Sequence, residues 1–169
     1  DLGLGAQVIA VSTYCNYPPE VKTKPKIGGM SNPSLEAIVA LKQDMVVLTD
    51  DGNPRMIERR LTGLNIPTYV FRARRLAELP GEIRKLGAAF DVRGQAERSA
   101  RRIEKTCRHY ATETKHSNLL FRKKAIFIVQ PEPLIVAGPD TAIDDALNLF
   151  GLTNIAADTQ TRYPHFSLE

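Results

Sequence analysis

Apolar and polar positions alternate in two different rhythms along the first two-thirds of the chain. Short, largely apolar runs at residues 8–11, 45–49 and 67–71 have the length and character of buried strands. The stretches between them carry apolar residues at helical spacing. A helix is predicted to open at Asn32-Pro33-Ser34, where Asn32 or Ser34 serves as the cap and Pro33 suits the first helical position. It turns Leu35, Ile38, Val39 and Leu41 inward. Residues 54–61 form the next helix, with Gly63 at its C-terminal end. Residues 14–26 are a loop stiffened by Pro18, Pro19 and Pro25. Strands and helices alternating at this spacing predict a parallel sheet with crossover helices. Such sheets take ligands outside the carboxyl ends of their strands. Those ends lead here into Ser12-Thr13-Tyr14, Asp50-Asp51-Gly52-Asn53 and Arg72-Ala73-Arg74.

A helical region follows. Residues 79–90 predict one helix and residues 95–116 a longer one, whose apolar positions Ala96, Ala100, Ile103, Cys107 and Tyr110 make one narrow stripe. Its other faces are charged, with Glu97–Arg101 and Glu104–Arg108 one turn apart. So thinly apolar a helix reads as a strut. Beyond it, residues 124–129 and 134–137 read as strands and Gly138-Pro139-Asp140 as a turn. Residues 141–150 read as a helix with Ile143, Ala146, Leu147 and Phe150 inward, closed by Gly151. A second α/β unit is begun here without the strands to complete it.

Composition narrows the function classes. The 169 residues, 43% hydrophobic and 25% charged, suit a globular chain of one domain or two small lobes. No apolar run approaches the ~18–20 residues that span a bilayer. The formal charge of +4 is uneven, because ten Lys and Arg against three Asp and Glu fall within residues 93–124. Without a helix-turn-helix signature or interleaved aromatics, that stretch reads as a solvated helix face, and no nucleic-acid partner is predicted. Cys15 and Cys107 lack metal-ligand spacing and read as free thiols, with a disulfide in an oxidising compartment as the alternative. His109, His116 and His165 are scattered, so no metal site is predicted. No nucleophile elbow or phosphate loop is present, and Gly3-Leu4-Gly5 precedes a strand instead of following one. No catalytic residue is predicted. The enzyme alternative is a chelatase-like or nucleotide-dependent α/β protein with Asp50-Asp51 holding a metal; a turn helped by Gly52 and Asn53 is the simpler reading.

The run Val11-Ser12-Thr13-Tyr14-Cys15-Asn16-Tyr17-Pro18-Pro19, followed by Ser34-Leu35-Glu36-Ala37-Ile38-Val39-Ala40-Leu41-Lys42-Gln43-Asp44-Met45-Val46-Val47, carries a resemblance. It is similar to the periplasmic solute-binding proteins of cobalamin and iron-siderophore ABC importers, of the helical-backbone, class III type. Gly63-Leu64-Asn65-Ile66-Pro67 and Gly151-Leu152-Thr153-Asn154-Ile155-Ala156-Ala157-Asp158 resemble later steps of the same pattern. The resemblance implies a Rossmann-like, chelatase-like α/β lobe at residues 1–92, an interlobe backbone helix at 93–118 and the start of a second α/β lobe at 119–169. It also implies that the family's first strand and helix, and most of its second lobe, lie outside these residues. The location implied is the periplasm, or a lipid anchor outside the cytoplasmic membrane.

The same resemblance assigns roles. Tyr14 and Tyr163 match aromatic positions that pave the ligand cleft of cobalamin binders, and Met30 and Thr49 fall near two more. Tyr17, Asp50 and Arg72 complete the expected ligand-binding set. Glu36 and Glu169 match the glutamates that pair with arginines of the inner-membrane permease, and Glu36 also suits the positive end of its helix. The expected ligand is a corrinoid or iron chelate that brings its own metal, with no cofactor belonging to the protein.

Overall fold

The computed structural model describes residues 2–116 and 123–166. They divide into two compact units. One comprises the described residues of 1–73 and 86–95, the other those of 74–85 and 96–169.

In the first unit β1 (Val46–Thr49) pairs in parallel with β2 (Thr68–Phe71), in a register that sets Val46 opposite Thr68 and Thr49 opposite Phe71. Side chains alternate along β1. Val46 and Leu48 face inward, while Val47 is 54% exposed. They pack with Ile38 of α1 (Leu35–Ala40) and with Ile57 and Leu61 of α2 (Arg55–Gly63), flanked by Ile27, Leu35, Ile66 and Val70. The parallel pair and the helix between its strands are those the periodicity predicts.

Four local details differ from expectation. Residues 8–11 are not a strand. Val11 alone finds a partner, donating to the Pro25 carbonyl at 3.0 Å and accepting from Ile27 at 3.1 Å, and Val8 and Ile9 stay exposed. A strand is a paired object, and apolar content does not supply the partner. Ser34 is the cap of α1, its hydroxyl accepting the Ala37 N–H at 3.2 Å, so Pro33 precedes the cap and bridges to Gly28 instead of opening the helix. Val39 is 45% exposed, because so short a helix has room for one inward row. Finally, α2 runs through Gly63, and the left-handed residue that ends it is Asn65 at φ 57°. Asparagine tolerates that region better than other residues bearing a Cβ.

Two helices follow, α3 (Leu79–Ala89) and α4 (Arg93–His116). Asp91 breaks them apart at φ 54°, and the Val92 N–H closes back on the Gly87 carbonyl at 2.8 Å, which satisfies an end carbonyl of α3. The 24 residues of α4 span about 36 Å. Its stripe is buried at Ala96 and Ala100 but 39% exposed at Tyr110, whose ring meets Phe150 edge-on at 5.0 Å.

In the second unit the strand expected at 124–129 is two strands. β3 (Lys123–Ala125) pairs in parallel with β6 (Leu152–Asn154), and β4 (Ile128–Gln130) pairs antiparallel with β5 (Ile135–Val136). The chain changes partner at Ile126-Phe127, which local hydrophobicity does not register. α5 (Ala142–Leu149) opens on Thr141, whose hydroxyl accepts the Asp144 N–H at 3.0 Å, and Gly151 closes it at φ 72° as expected.

Candidate functional site

Three loops of the first unit are tied together by hydrogen bonds. Thr13 donates its N–H to the Gly28 carbonyl at 2.9 Å, which fixes the loop carrying Tyr14 beside the segment leading to Met30. The Asn53 amide donates to the Met30 carbonyl at 2.7 Å, and its oxygen accepts the Thr49 N–H at 2.8 Å. The Asp51 N–H closes on the Thr49 hydroxyl at 3.2 Å, and the Asp50 N–H reaches the Phe71 carbonyl at 3.0 Å. Met30, Thr49 and Asp50 are thus gathered where β1 ends, and the Thr13–Gly28 bond ties the loop of Tyr14 and Tyr17 to the same framework.

Three large side chains of these loops are exposed. Tyr14 is 83% exposed, Tyr17 86% and Met30 46%. Arg72 follows β2, with its guanidinium 3.9 Å from the Glu58 carboxylate of α2. Glu36 stands exposed in the first turn of α1, next to a cap whose N–H is held by the Ile27 carbonyl at 2.7 Å. Glu169 lies outside the described residues.

Tyr163 belongs to the second unit, on a loop fixed from both sides. Gly138 donates to the Arg162 carbonyl at 2.7 Å, and Val136 donates to the Pro164 carbonyl at 3.2 Å. A Cβ on Gly138 would stand 2.5 Å from the Thr161 carbonyl oxygen, so only glycine permits this approach. Beneath it, buried Asn154 donates to the Ala137 carbonyl and to the Asp144 carboxylate, and accepts from Ala156. The Asn154 network fills every polar need of a side chain that is 3% exposed, as burial demands.

Other charges in the second unit are spent on one another. Arg75 holds Asp145, lowering its carboxyl below the usual range, and also reaches Asp140 at 2.7 Å. Arg84 bonds Glu97 and Glu104 at 2.7 Å each, and with Arg101 it holds the Glu97 carboxyl at about 2. Of these, Arg75, Asp145, Arg84 and Glu104 line a groove of about 780 Å³ together with Ile103, Cys107 and Leu149. Cys15 and Cys107 are free thiols. Among the described residues no three His, Cys, Asp or Glu side chains gather as metal ligands, and no helix is long and apolar enough to cross a membrane.

Asn53 and Gly52 are the residues that sequence reasoning undervalued. Both were legible only as turn formers. Yet Asn53 bonds across 23 positions to Met30, and Gly52, at φ 139°, lets the Met30 thioether approach to where a Cβ would be 2.8 Å from its sulfur.

The family model described as periplasmic binding protein matches residues 1–169. The chain belongs to the periplasmic binding protein family. A vitamin B12-binding protein of Pectobacterium atrosepticum is 30% identical over 169 residues, covering 99% of this chain and 61% of its own length. The periplasmic vitamin B12-binding protein BtuF of Vibrio cholerae superposes with a TM-score of 0.83 at 23% identity, over 99% of this chain and 64% of that one. The apo periplasmic heme-binding protein RhuT of Roseiflexus sp. RS-1 gives 0.84 at 24%, over 98% and 64%. The chain spans about 60% of the length of the curated relatives it matches. These likenesses agree with the α/β architecture of class III binding proteins, with its parallel strand pairs and long helix.

Proposed function

We propose that this chain is part of the solute-binding component of an ABC importer, which captures a cobalamin-like or iron-chelate ligand, haem included, in the periplasm and delivers it to an inner-membrane permease. The observation that carries the reading is the exposure of three large side chains, Tyr14, Tyr17 and Met30, on loops that hydrogen bonds tie to the end of a parallel strand, and these are the proposed ligand shelf. Each ~100 Å² of such surface covered by ligand favours binding by about 2.5 kcal/mol. A flat macrocycle offers that area, and an amino acid or simple sugar offers far less. Tyr suits the task with a broad, rigid ring face, and Met with an adaptable, polarizable thioether.

Thr49, Asp50 and Arg72 supply the polar partners for the ligand's rim, with Arg72 fitted to a propionate or other carboxylate edge. Tyr163 is a further aromatic of the expected ligand set. Capture needs no bond made or broken, and the metal comes within the chelate. Glu36 is the carboxylate that meets permease arginines, with Glu169 as its counterpart.

The test is a calorimetric titration of cyanocobalamin, haemin and a ferric hydroxamate into the full-length protein that carries this chain. Saturable binding of at least one, weakened about tenfold or more by Tyr14→Ala and restored by Tyr14→Phe, is the expected result. No binding of any of the three, or binding indifferent to Tyr14, overturns the proposal.

A further inference from the structure

One exposed face of α4 is cationic over residues 98–108. Arg98, Arg101, Arg102, Lys105 and Arg108 lie on a single arc of the helix surface, and all five are exposed. Thr106 and His109 lie on the same arc, also exposed, and no carboxylate falls on it between residues 98 and 109. The nearest acids are on the flank. Glu97 and Glu104 are turned to Arg84 at 2.7 Å, with Glu97 also taking Arg101 at 2.6 Å, and Glu113 comes one turn later. The row extends about 17 Å along a straight helix.

We propose that this row is a docking surface for an anionic phospholipid bilayer. The proposal rests on the reading of the chain as a periplasmic carrier that must find a membrane-bound permease. Charge complementarity commits the surface to an anionic partner, and shape favours a bilayer. A straight row of long, flexible cations matches a plane of headgroups, because every charge of the row can sit within a Debye length, about 8 Å, of that plane at once. A nucleic acid would be tracked by a concave groove with aromatic platforms, and this arc carries neither. No apolar side chain on the arc inserts into lipid, so binding is electrostatic, reversible and salt-sensitive. Held loosely at the surface, the carrier would search for its permease in two dimensions.

The experiment is co-sedimentation of the full-length protein with phosphatidylcholine vesicles, with and without 30 mol% phosphatidylglycerol, at about 50 and about 500 mM salt. Expected is binding to the anionic vesicles alone, at low salt alone. At roughly fivefold per cation, the triple variant Arg98→Gln, Arg102→Gln, Lys105→Gln should weaken it about 100-fold. Circular dichroism and ligand titration on the same variant establish that it is folded and still binds chelate, which separates this proposal from that of ligand capture. A single Lys105→Gln variant, losing about fivefold, carries the test should the triple variant misfold. Equal binding to neutral and anionic vesicles, no binding to either, unchanged binding by the variants, or tighter binding to duplex DNA than to the anionic vesicles overturns it.

Discussion

The Asn53 amide donates to the Met30 carbonyl at 2.7 Å and accepts the Thr49 N–H at 2.8 Å, so one side chain joins the end of β1 to the loop that presents Met30. The two bonds are separable by chemistry. Aspartate retains the acceptor for Thr49 but turns a repelling oxygen toward the Met30 carbonyl, whereas alanine loses both. Asn53→Ala should therefore destabilise the fold by about 1–2 kcal/mol in a urea melt, the cost of one part-buried donor left unmatched and a bond lost. Asn53→Asp should cost less stability yet weaken chelate binding as much, because the Met30 loop is released in both. Ligand affinity equal to wild type in Asn53→Asp would show that the Met30 loop is not held for the ligand.

Among the helices, the Arg84 fork on α3 reaching Glu97 and Glu104 on α4 has a pH signature. Glu97 is held at about 2 against an ordinary 4.5, chiefly by Arg84 and then by Arg101. A carboxyl depressed in the folded state binds fewer protons than it does unfolded. Its contribution is therefore complete above pH 4.5 and is lost as pH falls from there toward 2. Urea midpoints at pH 5 and pH 3 should lie closer together in Glu97→Gln than in wild type, and added salt should shrink the contrast because the pair is exposed. An identical pH dependence in both would remove Arg84–Glu97 from the acid response. Elements of this kind were readable in advance wherever the determinant is local. The pair β1 and β2, the helix between them, the long α4 and the Gly151 terminator all follow from spacing and caps. What failed was set at a distance. Residues 8–11 lack a ladder partner, and residues 124–129 change theirs midway, neither of which periodicity encodes. The clustering of Met30, Thr49 and Asp50 was readable from strand-end logic and resemblance, but the Asn53 clamp that makes it a cluster spans a loop no local rule could fold.

At the scale of the molecule, the residues proposed to grip ligand and to dock on the permease share one short stretch of chain. The Gly28 carbonyl holds the Tyr14 loop through Thr13, and the Ile27 carbonyl holds Ser34, two residues from Glu36. The ligand loop and the docking carboxylate are therefore fixed to adjacent peptide groups, while the carboxylate itself contacts nothing that shapes the shelf. This arrangement predicts that the two activities separate under mutation. Glu36→Lys places a like charge against the permease arginines, where an ion pair stood, and such reversals at a contact chiefly slow association and are costly when the pair is desolvated. Uptake of chelate in cells carrying the full-length protein and its permease should fall tenfold or more, with the chelate Kd measured in solution changed less than twofold. Glu36→Gln, which removes the attraction without adding repulsion, should fall between. If the lysine variant instead lost ligand affinity in proportion to uptake, Glu36 would be a support of the shelf, and the permease contact would have to be sought elsewhere on the first unit.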